Sequence, residues 1–185
     1  MNLIETFQNL VGQVPELVQP LIVALAGAVP FIEGEGAAAI GIIGGIPPVI
    51  AAIAAIIGNF LCVALLVLAS SSARAAVVNR RRAKALVDAD GRAVPQAGAG
   101  SIQIDDGDSD RKAARKQKFQ SALNRYGVPG VSLLGPLLLP TQFTATMLAA
   151  IGIGKGRILI WQAIAIIGWT TVLSLLATGI VHFAG

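Results

Sequence analysis

The chain has 185 residues, 55% of them hydrophobic and only 13% charged, with a mean hydropathy of +0.74, which excludes an ordinary soluble globular domain. The net charge of +4 is unevenly placed: twelve of the fourteen lysines and arginines fall between Arg74 and Arg125. A basic stretch between long uncharged ones marks a cytoplasmic segment of a multi-pass cell-membrane protein, with anionic lipid rather than nucleic acid as its partner.

Four regions follow in chain order: 1–16, 17–73, 74–125 and 126–185. In the first, Leu3, Ile4, Phe7, Leu10, Val11 and Val14 recur at helical spacing with Glu5, Gln8, Asn9 and Gln13 between them, which predicts a short amphipathic helix lying on the membrane surface. No basic n-region opens the chain and no small-residue cleavage site follows, so a cleaved signal peptide is not expected.

Region 17–73 is apolar but interrupted by Pro20, by Gly27 and by Pro30-Phe31-Ile32-Glu33-Gly34-Glu35-Gly36. Irregular backbone inside a bilayer survives only where protein or a water-filled cavity satisfies it, so a broken or re-entrant segment is expected here. Pro47-Pro48 restarts a helix long enough to cross the membrane, with Asn59 as its one strongly polar residue. Cys62, the single cysteine, lies deep in that apolar run and reads as core.

Region 74–125 extends the helix through Arg74–Arg82, loosens into a solvated stretch with aspartates at 105, 106, 108 and 110, and closes with a basic amphipathic helix. That helix carries Phe119, Ala122, Leu123 and Tyr126 on one face, with Gly127 as its stop. The aspartates lack the downstream glutamate of a calcium loop, and no metal or other cofactor is expected.

Region 126–185 repeats the order of region 17–73. A segment broken by Pro129, Gly130, Gly135, Pro136 and Pro140 leads to a charged turn, Gly154-Lys155-Gly156-Arg157, and then to a spanning helix toward His182. Shifting the chain by 110 residues pairs Pro30 with Pro140, Ile43-Gly44 with Ile153-Gly154 and Ala55-Ile56-Ile57-Gly58 with Ala165-Ile166-Ile167-Gly168. With Lys155 and Arg157 cytoplasmic, like the other basic residues, 128–153 enters and leaves on one side. The expected fold is therefore an all-α integral membrane protein of two inverted repeats, each a re-entrant helical hairpin followed by a transmembrane helix, with the hairpin tips meeting near the midplane. Four ordinary spans remain the alternative. So little protein to shield irregular backbone also predicts a homo-oligomer.

The candidate site residues come from the two breaks. Glu33 and Glu35 are acids within otherwise apolar chain, which makes them a functional-site hypothesis. A carboxylate desolvated at a midplane cavity gains and loses a proton near neutral pH, as a proton-coupled exporter requires. Glu33 is read as the buried coupling residue and Glu35 as its modulator, the reverse order being open; both could instead cap the helix that follows. Thr141, Gln142, Thr144 and Thr146 occupy the matching break and either bind substrate or the facing acids, or satisfy backbone freed by Pro140. Asn59 either lines the same cavity or bonds between helices. Gly41 and Gly45 are spaced for close helix packing or dimerisation, and Trp161 and His182 read as interfacial. No nucleophile–base set, zinc spacing or phosphate loop occurs, so an enzyme is not expected.

The residues Pro30–Gly36, Gly58-Asn59, Arg125-Tyr126-Gly127 and Gly135-Pro136-Leu137-Leu138-Leu139-Pro140-Thr141 resemble the small multi-drug export proteins, a family similar to the wider DedA-like membrane proteins. The resemblance covers roughly 20–69 and 126–183. It implies opposed re-entrant hairpins and a transport role, either export or the flipping or scrambling of a lipid phosphate. DedA-like proteins place an arginine just after the second hairpin's proline, where this chain has Thr141-Gln142-Phe143-Thr144, which removes the cationic partner for a phosphate and leaves room for a small cationic or amphipathic compound. A third alternative is a structural membrane protein whose acids are caps.

Overall fold

The computed structural model describes residues 3–87 and 109–184, and every regular element among them is helical. In order these are α1 (Leu3–Gln13), α2 (Gln19–Gly27), α3 (Glu33–Ile43), α4 (Pro48–Val87), α5 (Ser109–Leu134), a 3-10 turn (Gly135–Leu137), α6 (Thr141–Ile151) and α7 (Lys155–Ala184). The aspartate-rich stretch 88–108 lies outside the described residues, as do the side chains of Phe119 and Ala122.

Two helices are long and apolar enough to cross a membrane, Pro48–Arg80 within α4 and Lys155–Phe183 within α7. The others are not: α2 has 9 residues and α3 and α6 have 11 each, about 14 to 17 Å of helix. The broken reading of 17–46 and 128–153 fits these lengths, and four simple spans do not. The breaks have local causes. Phe31 and Glu33 both adopt positive φ, 71° and 54°, between α2 and α3, a conformation rare for residues with a side chain. In the second half Gly127 (φ 66°, ψ −171°) kinks α5, Pro129 opens the resumed helix, and Pro136 and Pro140 end it.

Helices α3 and α6 stop in the same way. Gly45 and Gly152 take positive φ, and the following Ile46 and Ile153 amides reach back five residues, to Gly41 O (3.0 Å) and Leu148 O (3.2 Å). Gly45 is thus a turn residue with nothing packed on it, whereas Gly41 is pressed against Ala51 and Val23 in an internal contact. Another expectation is corrected here: Lys155 and Arg157 stand in the first turn of α7, and the loop before them is formed by Gly152–Gly154. Helix α1 also differs from a free surface helix, because Val11 is fully buried against the Gly44 turn.

The core has two lobes. One joins Val23 of α2 and Ile40 of α3 to Ala51 and Ala55 at the start of α4 and to Ala177 near the end of α7. The other joins Val63 and Val67, further along α4, to Val131 of α5, Leu148 of α6 and Ile158 near the start of α7. The long helices therefore run in opposite directions, with one hairpin packed at each end. Where α2 crosses α4 the approach is backbone to backbone: a Cβ on Gly58 would collide with Ala24 O, and one on Gly27 would lie 2.7 Å from Ala55 O. The outer faces are apolar: Ile53, Ile57, Leu61 and Leu65 on α4 and Ile160, Ile164, Ile167 and Leu175 on α7 are exposed.

Candidate functional site

Polar side chains gather where the two lobes meet. Glu33, Asn59, Thr141, Gln142, Thr144 and Thr170 are all buried, Glu33 being 4% exposed. On α4, Asn59 lies about 16 Å of helix from Pro48 and about 22 Å from Arg74. Thr170 is similarly about 22 Å from Lys155 along α7. The cluster thus lies near the middle of α7 and of the uncharged stretch of α4 that ends before Arg74.

Its centre is a contact between the two breaks. The Thr141 backbone N–H donates to Glu33 Oε1 at 2.5 Å, and the Thr141 hydroxyl lies 3.0 Å from the same oxygen. Thr141 is the first residue of α6, so a buried carboxylate at the start of α3 caps the N-terminus of a helix 108 residues away. The hydroxyl is also 3.3 Å from Asn59 Oδ1 and 3.4 Å from Gln142 Oε1; having one proton, it donates to one acceptor at a time. Gln142 Nε2 donates to Asn59 Oδ1 at 3.4 Å. Glu33 Oε2 has no protein hydrogen-bond donor among the described residues, and Glu33 lines a cavity of about 220 Å³ together with Glu35, Phe31 and the run Pro136–Pro140. Among the described residues, no basic side chain lines it.

Helix α6 is bracketed electrostatically. Glu33 sits at its N-terminal end, and at its C-terminal end the Arg74 guanidinium lies so close to Gly152 that a Cβ there would be 2.5 Å from Arg74 Cζ. An anion at the first turn and a cation at the last both complement the helix dipole.

The six sequence candidates separate. Glu33, Asn59, Thr141 and Gln142 form one hydrogen-bonded group. Glu35, half-buried in the first turn of α3, lines the cavity without joining that group. Thr144 turns back to its own helix, donating to Pro140 O at 3.4 Å, and packs against Gly135; Thr146 likewise donates to Phe143 O at 2.9 Å. Those two threonines satisfy backbone near the Pro140 break.

Three residues were missed. Thr170 presses its hydroxyl on Gly34, so only glycine fits between Glu33 and Glu35. Phe31, 82% exposed and lining the cavity, meets Phe143 across the two breaks with ring centroids 6.4 Å apart and planes tilted by 53°. Trp169 Nε1 donates at 2.8 Å to Leu133 O, a carbonyl released where α5 gives way to the 3-10 turn. Only Thr170 had a legible signal, a hydroxyl on the inner stripe of an apolar helix.

No group of three or more His, Cys, Asp or Glu able to hold a metal occurs among the described residues. No family model, curated protein or solved structure matches the chain.

Proposed function

We propose that this protein is a small membrane-embedded transporter that exports a compact amphipathic or cationic compound through the cavity between two opposed hairpin tips, coupled to protons at Glu33. The observation that carries the reading is the Glu33–Thr141 contact: an acid of one broken helix held by the N-terminal amide of the other, midway along an apolar body.

Membrane insertion is supported by the two long helices, whose most apolar windows are only 33% and 22% buried. A soluble core helix hides its apolar face; these two turn theirs outward and keep Asn59 and Thr170 inside. The antiparallel α4 and α7, each preceded by a short broken segment with the same glycine stop, support inverted repeats that enter from opposite faces. The Arg74–Gly152 contact supports a common, cytoplasmic side for Arg74, Lys155 and Arg157. The likeness of Pro30–Gly36 and Gly135–Thr141 to small multi-drug export and DedA-like proteins points the same way.

The mechanism follows from what protonation removes. A carboxylate at a helix N-terminus is worth about 0.3–1 kcal/mol, rising to ~2 kcal/mol when partly buried, and a neutral acid forfeits most of it. A change of 1–2 kcal/mol shifts a two-state equilibrium about 5- to 30-fold, enough to part the tips without unfolding either hairpin. Proton and cationic substrate compete for one carboxylate, so loading one expels the other. An acidic cavity with no basic residue among its described lining is mismatched to a lipid phosphate, which favours export over flipping or scrambling.

A structural role is the second reading with an observation behind it, since Glu33 also caps α6. Glu33→Gln separates the two, because glutamine keeps an acceptor for Thr141 but cannot titrate. In everted vesicles with an imposed pH gradient, Glu33→Gln should lose uptake of a fluorescent amphipathic cation at least tenfold while remaining folded. Wild-type uptake by Glu33→Gln would leave the acid a cap and end its coupling role, and no uptake by the wild-type protein above empty vesicles would end the transporter reading.

A further inference from the structure

The inner face of α7 carries polar groups that take no part in the hydrogen bonds around Glu33. Gln162, Ile166, Thr170 and Ser174 follow one another every four residues and are exposed by 0%, 1%, 0% and 6%. Both side-chain polar atoms of Gln162, the Thr170 hydroxyl and the Ser174 hydroxyl are buried without a hydrogen-bond partner. The usual solution for a hydroxyl on an apolar helix is to bond back to the carbonyl four residues earlier. Thr178 takes it, donating to Ser174 O at 2.8 Å, and so does Ser72, donating to Leu68 O at 2.8 Å. Thr170 and Ser174 do not. A buried polar atom that lacks a protein partner is costly, and where packing opens enough to admit it ordered water is the usual partner.

The spacing gives the stripe a direction. Thr170 rests on Gly34, beside Glu33, and Ser174 and then Thr178 follow at about 6 Å per step toward the C-terminal end of α7. Toward the other end the next polar residue is Gln162, about 12 Å of helix away, and Ile166 fills the interval. We propose that the inner face of α7 is a hydrated track joining Glu33 to the end of the molecule that holds the C-terminus of α7, closed toward the opposite end by Ile166. Its use as the proton route rests on the transporter reading; its hydration does not.

Thiol accessibility tests the track without requiring transport. The full chain in a Cys62→Ala background, in right-side-out and everted vesicles, is exposed to a small charged methanethiosulfonate that cannot cross the bilayer. Ser174→Cys and Thr170→Cys should react from the side of the α7 C-terminus at least tenfold faster than the outward-facing Leu175→Cys. Gln162→Cys should not react from that side until Ile166→Ala is added. Cysteine is close to serine in size; should Thr170→Cys misfold, Thr178→Cys takes its place. Reaction of Ser174→Cys no faster than Leu175→Cys overturns the track, and reaction of Gln162→Cys from that side with Ile166 intact overturns the plug. Labelling as expected alongside no export by the wild-type protein would end the proposed function and leave the track standing.

Discussion

The two halves of the molecule have the same order of elements but are held together differently. In the first, α2 and α4 meet backbone to backbone through Gly27 and Gly58. In the second, the broken segment is braced by side chains: the Trp169 indole on Leu133 O, the Thr144 hydroxyl against Gly135 and the Arg74 guanidinium over Gly152. The first hairpin supplies the acid on rigidly packed backbone, and the second presents donors on a segment whose supports are flexible side chains. In the proposed mechanism, motion on loss of the Glu33 charge would therefore belong to α6 and its hairpin, with α2 and α3 as the fixed partner.

The sharpest way to break this comparison is to load both halves with the same methyl group. Gly58→Ala forces a Cβ into Ala24 O and should cost about 3 kcal/mol, the upper end for overpacking. Gly168→Ala meets nothing within 4 Å and should be neutral or stabilise by up to about 1 kcal/mol. Thermal unfolding in detergent compares the two, and equal effects would remove the contrast. Trp169→Phe comes next: it leaves Leu133 O without its donor and should cost about 1–3 kcal/mol, read in the same assay. Arg74→Gln, which withdraws the cation from the C-terminal end of α6, should cost about 0.3–1 kcal/mol and raise hydrogen exchange in α6 while leaving α3 unchanged. Faster exchange in α3 as well would mean that the halves move as one body. Glu35→Gln should be the mildest, with export lowered less than threefold and unfolding unmoved, because Glu35 lines the cavity but holds no other helix.

Much of the site was readable before any coordinates. Prolines and glycines at 30–36 and 135–140 mark both breaks because they deny the helix its hydrogen bonds, and polar residues in apolar chain mark what the breaks hold. Which acid is buried was less accessible, since it depends on the positive φ of Phe31 and Glu33, and neither residue type signals that conformation. The register expected for an internal repeat does not match the helix stops. The 110-residue shift pairs Ile43-Gly44 with Ile153-Gly154, whereas the matching helix stops are Gly45-Ile46 and Gly152-Ile153, 107 residues apart. In a sequence this rich in glycine and isoleucine, identities accumulate in a wrong register, and only the backbone shows which glycine turns left-handed. Thr144 looked equivalent to Thr141, yet only the first residue of α6 has a free amide and hydroxyl to offer Glu33.

The account depends above all on two broken hairpins entering from opposite faces and meeting at Glu33. The most direct measurement is the sidedness of position 155, using Lys155→Cys in a Cys62→Ala background with Asn79→Cys as the reference on α4. A thiol reagent that cannot cross the membrane should label both positions from the same side, the cytoplasmic one. Labelling of the two from opposite sides would make 128–153 a full span, and the meeting of the hairpins would have no membrane to oppose them across.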